Sequence, residues 1–331
     1  MEKNRAKVVV ITGASAGVGR ATARAFAKKG ANIALLARDR NRLEAAGKEI
    51  KDLGGDALII PTDVSDPNQI EAAAKAVEKE FGAIDIWINN AMVSVFSPVK
   101  EMTPDDYKRV TEVTYLGYVY GTLTALKYML PKNSGIIVQV GSALAYRGIP
   151  LQSAYCAAKH AIKGFTESVR TELLHDRSHV KITMVQMPAM NTPQFNWVKS
   201  RLPRKAQPVP PIFQPEVAAN AIVFASSHYR REWYVGAITT AAIIGNKIAP
   251  GIIDKYLAKN GYDSQQYNGP ENQDRPNNLY ETVLGDFKAR GDFDKRATSF
   301  SINLWLDQHR NGIFLCLLLL AVILCCFMLK P

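Results

Sequence analysis

The chain has 331 residues, long enough for one large domain with appendages, and its 47% hydrophobic and 21% charged content excludes wholesale disorder. A formal charge of +11 points to an anionic partner, but there is no long Lys/Arg run and no nucleic-acid motif, which leaves cofactor phosphates and anionic lipid headgroups. Only Cys156 lies outside the last apolar stretch, so no disulfide framework exists, and neither the cysteines nor the five histidines offer metal-ligand spacing.

The N-terminal apolar run is too short for a signal peptide and reads as a first strand. From residue 7 to about 240, short β-branched runs alternate with helix-like segments. "KVVVIT" (7–12), "NIALLAR" (32–38), "ALIIPT" (57–62), "IDIWIN" (84–89), "GIIVQVG" (135–141) and "KITMVQM" (181–187) read as buried strands. Helices are expected near 18–29, 41–53, 67–81, 104–130, 153–175 and 215–227, with Thr103 as an N-cap before Pro104. The alternation predicts a doubly wound, Rossmann-type α/β fold: a parallel sheet with helices on both faces, filling residues 1–245.

Residues 193–214, rich in proline and aromatics, read as an excursion over the sheet, and Arg201, Arg204 and Lys205 within it as a solvated face or a headgroup contact. Residues 246–311 read as a polar linker, irregular over 260–278, followed by an amphipathic stretch from 279 to 310 expected against a membrane. Gly312–Leu329 is 18 uncharged residues between Arg310 and Lys330. As a helix it would cover about 27 Å, close to a bilayer's hydrocarbon core. It is expected to be a single-pass C-terminal anchor with the catalytic part facing the cytoplasm; a buried core helix or a partner-docking segment are the alternatives.

Chemistry begins at "TGASAGVG" (12–19), which leaves the first strand and opens a helix. Gly13 permits the turn, Gly17 lets backbone approach a pyrophosphate, Gly19 allows close helix packing, and the helix N-terminus offers free N–H groups to phosphate. Ser15 and Val18 of the same loop count with the glycines as cofactor ligands. The second strand ends in Ala37 where an acid would select NAD, and Arg38 follows, which predicts NADP(H) in preference to NAD(H). Tyr155 and Lys159, four apart on a helix, share one face.

Over residues 7 to about 240 the chain resembles the short-chain dehydrogenase/reductase family. The glycine motif, Asp63–Val64 after the third strand, "NNA" at 89–91, "GS" at 141–142, then Tyr155 and Lys159 come in the family's order and spacing. The resemblance implies a nicotinamide-dependent oxidoreductase. In it Tyr155 is the general acid/base, Lys159 lowers its pKa and holds the nicotinamide ribose, and Ser142 holds the substrate oxygen. It also implies Asp63 and Val64 at the adenine, Asn90 at the cofactor, Thr192 at the carboxamide, and a homo-dimer or tetramer. Three positions depart from the family pattern: Thr114 replaces the asparagine of a water-linked proton relay, Met92 a glycine near the nicotinamide, and Ala189 a glycine after Pro188.

The residues expected to wall the substrate pocket are Met92, Val93, Phe96, Leu144, Tyr146, Ile149, Leu151, Met190, Phe195, Trp197 and Phe213. They are mostly apolar and favour a hydrophobic carbonyl or alcohol. Two other readings compete: a cofactor-binding scaffold or redox sensor with little turnover, and an epimerase or dehydratase that uses the cofactor transiently.

Overall fold

In the computed structural model, which describes residues 5–310 and 312–313, seven strands form one parallel sheet. They are β1 (Val8–Thr12), β2 (Asn32–Ala37), β3 (Asp56–Pro61), β4 (Ile86–Asn89), β6 (Ile136–Val140), β7 (Lys181–Gln186) and β12 (Glu232–Tyr234). Their spatial order is β12-β7-β6-β4-β1-β2-β3. Short pairings decorate the edge where the strands end: β5 (Val95–Phe96) with β9 (Lys199–Ser200), β10 (Arg204–Ala206) with β13 (Gln266–Pro270), and β11 (Ile212–Phe213) between β8 (Ala189–Met190) and β14 (Ala297–Thr298).

The β1 sequence shows why the sheet is covered on both faces. Its alternate residues Val9 and Ile11 pack with α1 (Gly17–Ala27), α2 (Arg40–Asp52) and α8 (Pro215–Ala225), through Phe26, Leu43 and Ile222. Val8 and Val10 pack on the other face with α3 (Pro67–Phe81), α5 (Gly117–Met129) and α6 (Ser153–His175), through Ile70, Met129 and Leu173. Both sets are fully buried, so the strand reads as a continuous apolar run. Each such side chain contributes about 1.5–3 kcal/mol of burial.

Helix α4 (Pro104–Thr111) starts where expected, with the Thr103 hydroxyl accepting from the Asp106 N–H at 3.2 Å. The single helix expected over 104–130 is instead interrupted by a wide π turn at Glu112–Leu116. This turn carries Thr114 fully inward, where its hydroxyl donates to the Val93 carbonyl at 2.7 Å and accepts from the Val93 N–H at 3.0 Å. Tertiary hydrogen bonding to the β4 loop accounts for what helix periodicity could not show.

The seventh strand, β12, was not among the expected ones; at three residues it is too short for an alternating pattern to register. After the short helix α7 (Gln194–Trp197) and α8, the boundary expected at 245/246 falls inside α9 (Ala237–Ile248), which α10 (Pro250–Asn260) follows. The 260–278 stretch, read as irregular, supplies β13. Residues 279–291, expected against a membrane, lie instead across the mouth of the sheet, with Leu279 and Ala289 buried. The expected membrane span at 312–329 lies outside the described residues apart from Gly312 and Ile313. Among the described residues no helix is long and apolar enough to cross a membrane.

The centre of the sheet is tied by Asn89. Its side chain accepts from the Trp87 indole at 2.9 Å and donates to Gln139 at 2.9 Å and to Thr122 at 3.1 Å, all buried. Removing it leaves those partners unsatisfied in the dry interior. Asn89→Ala should therefore lose about 3 kcal/mol of stability, read as a fall of roughly 5 °C or more in thermal midpoint.

Candidate active site

The loop between β1 and α1 follows the glycine pattern. Gly13 and Gly17 take positive φ, +67° and +56°, and a Cβ on Gly19 would stand 2.2 Å from the Gly13 carbonyl oxygen. The Asn90 amide fixes the loop by donating to the carbonyls of Thr12 at 2.9 Å and Gly13 at 3.3 Å. Gly13, Ser15, Gly17 and Val18 line a cavity of about 400 Å³ along the carboxyl ends of the strands, together with Arg38, Asp63, Val64, Asn90, Ser142, Tyr155, Lys159 and Thr192. Gly19 lies behind this wall and serves packing. Among the expected catalytic and cofactor-binding residues, Thr114 and Gly19 are absent from the cavity wall. The residues fit a dinucleotide: a helix N-terminus at the groove's centre, an arginine where a ribose phosphate would lie, and an ammonium at the far end.

At that far end Lys159 is only 2% exposed. Its Nζ lies 5.5 Å from the Tyr155 ring centre and donates to the Val140 carbonyl at 2.7 Å and the Tyr118 hydroxyl at 3.1 Å. Burial brings the Lys159 ammonium down to about 7. Burial pushes the Tyr155 phenol well up, while a hydrogen bond with Ser142 pulls the other way. Ser142 is itself set in place: its N–H donates to the Gln186 side chain at 2.8 Å and its Oγ accepts from the Leu144 N–H at 3.1 Å.

Tyr118 was missed by the sequence reading. It is buried, four residues after Thr114, and its hydroxyl donates to the Val140 carbonyl at 3.0 Å while accepting from Lys159. Its ring centre stands 4.7 Å from the same ammonium. Its place one helical turn after Thr114 does not by itself distinguish it from a core tyrosine. Thr114, meanwhile, has its hydroxyl engaged by Val93 as described.

At the near end, burial works against the Asp63 carboxylate, but hydrogen bonds from Arg109 and Ser65 prevail and hold its pKa below the usual range. The Asp63–Arg109 contact is 2.7 Å. Burial lowers the pKa of Arg38, whose guanidinium donates to the backbone carbonyls of Asn278 and Tyr280 at 2.5 and 2.6 Å. Those carbonyls come from the C-terminal extension, which sequence reasoning placed elsewhere.

Of the expected substrate walls, Met92, Val93, Phe96, Leu144, Ile149, Met190, Phe195 and Trp197 line the cavity. Tyr146, Leu151 and Phe213 do not. The Tyr146 hydroxyl is bonded to Glu232, Leu151 packs in a satellite core and Phe213 in the main one. Pro208–Pro211 and Ile238 complete the apolar wall. Arg201 and Arg204 pair with Asp106 and Asp263, both at 2.5 Å.

Residues 7–202 match the family of short chain dehydrogenases. The chain is 34% identical over 287 residues to an uncharacterized oxidoreductase, YxnA, of Bacillus subtilis, covering 86% of this chain and 81% of that one. It is 40% identical over 170 residues to human dehydrogenase/reductase SDR family member 7, half of each chain. Among solved structures, a metagenomic short-chain oxidoreductase in complex with NADP aligns with a TM-score of 0.58 at 26% identity, covering 69% of this chain and 96% of that one. The chain belongs to the short-chain dehydrogenase/reductase family. It is an NAD(P)-dependent oxidoreductase of the Rossmann-like fold.

The Lys159 environment makes a testable statement about pH. In the free enzyme the ammonium is present below about pH 7, so kcat/KM for the reduced cofactor should fall as pH rises through that value. Tyr118→Phe removes an oxygen that stabilises the cation. Its pKa then drops further, and the falling limb should move to lower pH while the thermal midpoint changes little.

Proposed function

We propose that the protein is an NADP(H)-preferring oxidoreductase that interconverts a hydrophobic carbonyl and its alcohol, with Tyr155 as general acid/base, and that it works at a membrane surface. The observation that carries this reading is the convergence of Ser142, Tyr155 and Lys159 on the cavity whose other end holds the glycine loop and Arg38.

The bound nicotinamide would supply the hydride. Ser142 would hold the substrate oxygen beside Tyr155, and in reduction the Tyr155 hydroxyl would give that oxygen its proton. Lys159, charged at the start, makes the phenolate left behind less costly, and it would also hold the nicotinamide ribose hydroxyls. The Tyr118 hydroxyl and the Val140 carbonyl hold the Lys159 ammonium in place without neutralising it. Asn90 and Thr12 keep the glycine loop open at the backbone, and the apolar walls keep water from the reacting carbon.

The preference for NADP(H) rests on Arg38, aided by the NADP found in the metagenomic relative. The hydrophobic substrate rests on the Phe96, Leu144, Ile149, Phe195 and Trp197 walls. The membrane reading, with a single-pass anchor at 312–329 and the catalytic part in the cytoplasm, rests on the apolar tail and on α9 and α10. Ile238, at the cavity wall, is 47% exposed, and Ile244, Ile248, Ile252 and Tyr256 continue outward from it, Ile248 at 77%. A helix apolar on its outer face suits a bilayer better than water, and Lys247, Lys255 and Lys259 beside it suit anionic headgroups.

In assays with NADPH, NADH and a panel of apolar ketones and aldehydes, turnover should require NADPH, and Tyr155→Phe should lower kcat by about 10²-fold or more. NADPH binding retained without turnover would instead favour the scaffold reading. Product formed without net NADPH consumption would favour an epimerase or dehydratase. Arg38→Ala should weaken NADPH binding by about tenfold or more while leaving NADH within about twofold. Deleting 312–331 should move the protein to the soluble fraction.

A further inference from the structure

The extension does something that neither the fold nor the proposed reaction requires. Residues 277–291 cross the cofactor half of the cavity from one side to the other, and at each step a main-chain or side-chain group meets a residue of the groove. The Asn278 N–H donates to the Trp197 carbonyl at 2.9 Å. The Asn278 and Tyr280 carbonyls take both terminal nitrogens of Arg38, and the Leu279 carbonyl accepts from Arg109 at 3.1 Å. The Val283 carbonyl accepts from Arg42. The Lys288 carbonyl accepts from the Gly17 N–H at 3.1 Å, at the N-terminus of α1, and the Gly291 N–H reaches the Asn191 carbonyl at 3.2 Å. Asn278 and Thr282 line the cavity itself.

Two ion pairs fasten this segment to the body: Arg290 pairs with Glu216 of α8 at 3.0 Å on the surface, and Asp286 pairs with a buried arginine. Arg20 on α1 is 2% exposed and is held by two carboxylates, Asp286 from the crossing segment and Glu49 from α2, the latter at 3.0 Å. Phe287 reinforces it with an edge-to-face contact on Trp197, ring centres 4.6 Å apart. The guanidinium is buried while both carboxylates reach the surface, so its charge-assisted hydrogen bonds hold the segment from the inner side.

We propose that residues 277–291 are a latched strap over the adenosine half of the cofactor site, and that cofactor enters and leaves only when the strap lifts. This rests on the assignment of the groove to NADP(H). The groups that phosphates would use, the Arg38 guanidinium and the Gly17 N–H, are satisfied by strap carbonyls, so the strap competes with a phosphate for both. Opening breaks the Arg20–Asp286 pair and swings the carbonyls away; Arg38 then turns to a ribose phosphate. Asp286 acts through Arg20 and is a positioning residue of the gate.

A gate has a kinetic signature that a binding contact lacks. Easier opening raises association and dissociation together and leaves affinity nearly unchanged, whereas loss of a contact raises dissociation alone. The full chain in detergent is mixed with NADPH and followed by stopped-flow fluorescence; the loaded enzyme is then chased with excess NADP⁺. Asp286→Asn should raise both rates by about tenfold, with Kd within about twofold. Glu49→Gln is the control: it takes from the same Arg20 a carboxylate that does not belong to the strap, and should leave both rates as they are.

Three results would overturn the strap: dissociation rising alone in Asp286→Asn, equal changes in the two variants, or no change in either. Absence of any NADPH signal in the unmodified protein would remove the cofactor assignment and the strap with it. Normal binding with unaltered rates in Asp286→Asn removes the strap only.

Discussion

Helix α1 can rise from the end of β1 only because Gly19 has no side chain: a Cβ there would meet the Gly13 carbonyl at 2.2 Å. That approach fixes where the helix N-terminus lies, and with it the centre of the cavity. Asn90 then has its place, since its amide closes on the two carbonyls that the turn exposes. The sheet order follows the same demand, with β1 between β4 and β2, so that Asn90 after one flanking strand reaches the loop while Arg38 after the other lines the cavity.

The two ends of the cavity solve opposite electrostatic problems. At the nicotinamide end a single ammonium is buried with neutral partners, the Tyr118 hydroxyl and the Val140 carbonyl, and its pKa falls to about 7. A carboxylate there would hold the lysine charged but would put a buried negative charge beside Tyr155; neutral oxygens hold it without that penalty. At the adenosine end, arginines crowd together and are held by Asp39, Asp63, Asp286 and strap carbonyls. Guanidinium groups stay charged when buried, so this end keeps its cations and depends on a cover to satisfy them.

Most of the sheet was legible in the sequence because parallel strands buried on both faces write themselves as β-branched runs, as "VVVIT" does. The glycine loop, Ser142, Tyr155 and Lys159 were legible as an ordered set of motifs, and the structure brings them to one cavity. Tyr118 was not legible, because a tyrosine inside a helix has no mark that separates core packing from service to a lysine; only the fold brings α5 beside α6. The strap was opaque for another reason. Its contacts with Arg38, Arg109 and Gly17 are made by backbone carbonyls, which carry no residue signature, and its amphipathic character was read as a membrane-facing stretch. The π turn at Thr114 was hidden in the same way, since Val93 is distant in sequence.

The family match ends at residue 202, yet the cavity does not. Asn278 and Thr282 stand at its adenosine end, Pro208–Pro211 and Ile238 at its substrate end, all outside the matched region. The matched part of the chain thus carries the glycine loop, Ser142, Tyr155 and Lys159, and residues beyond 202 complete the cavity wall around them. The formal charge of +11 bears the same division. Arg20, Arg38, Arg42, Arg109 and Lys159 are wholly or partly buried, and acids or carbonyls of the chain itself claim them. Net charge therefore says less about an external anionic partner than it first implies. For a membrane surface the relevant cations are the few beside the exposed isoleucines of α9 and α10, where attraction to headgroups and burial of apolar surface would act on the same face.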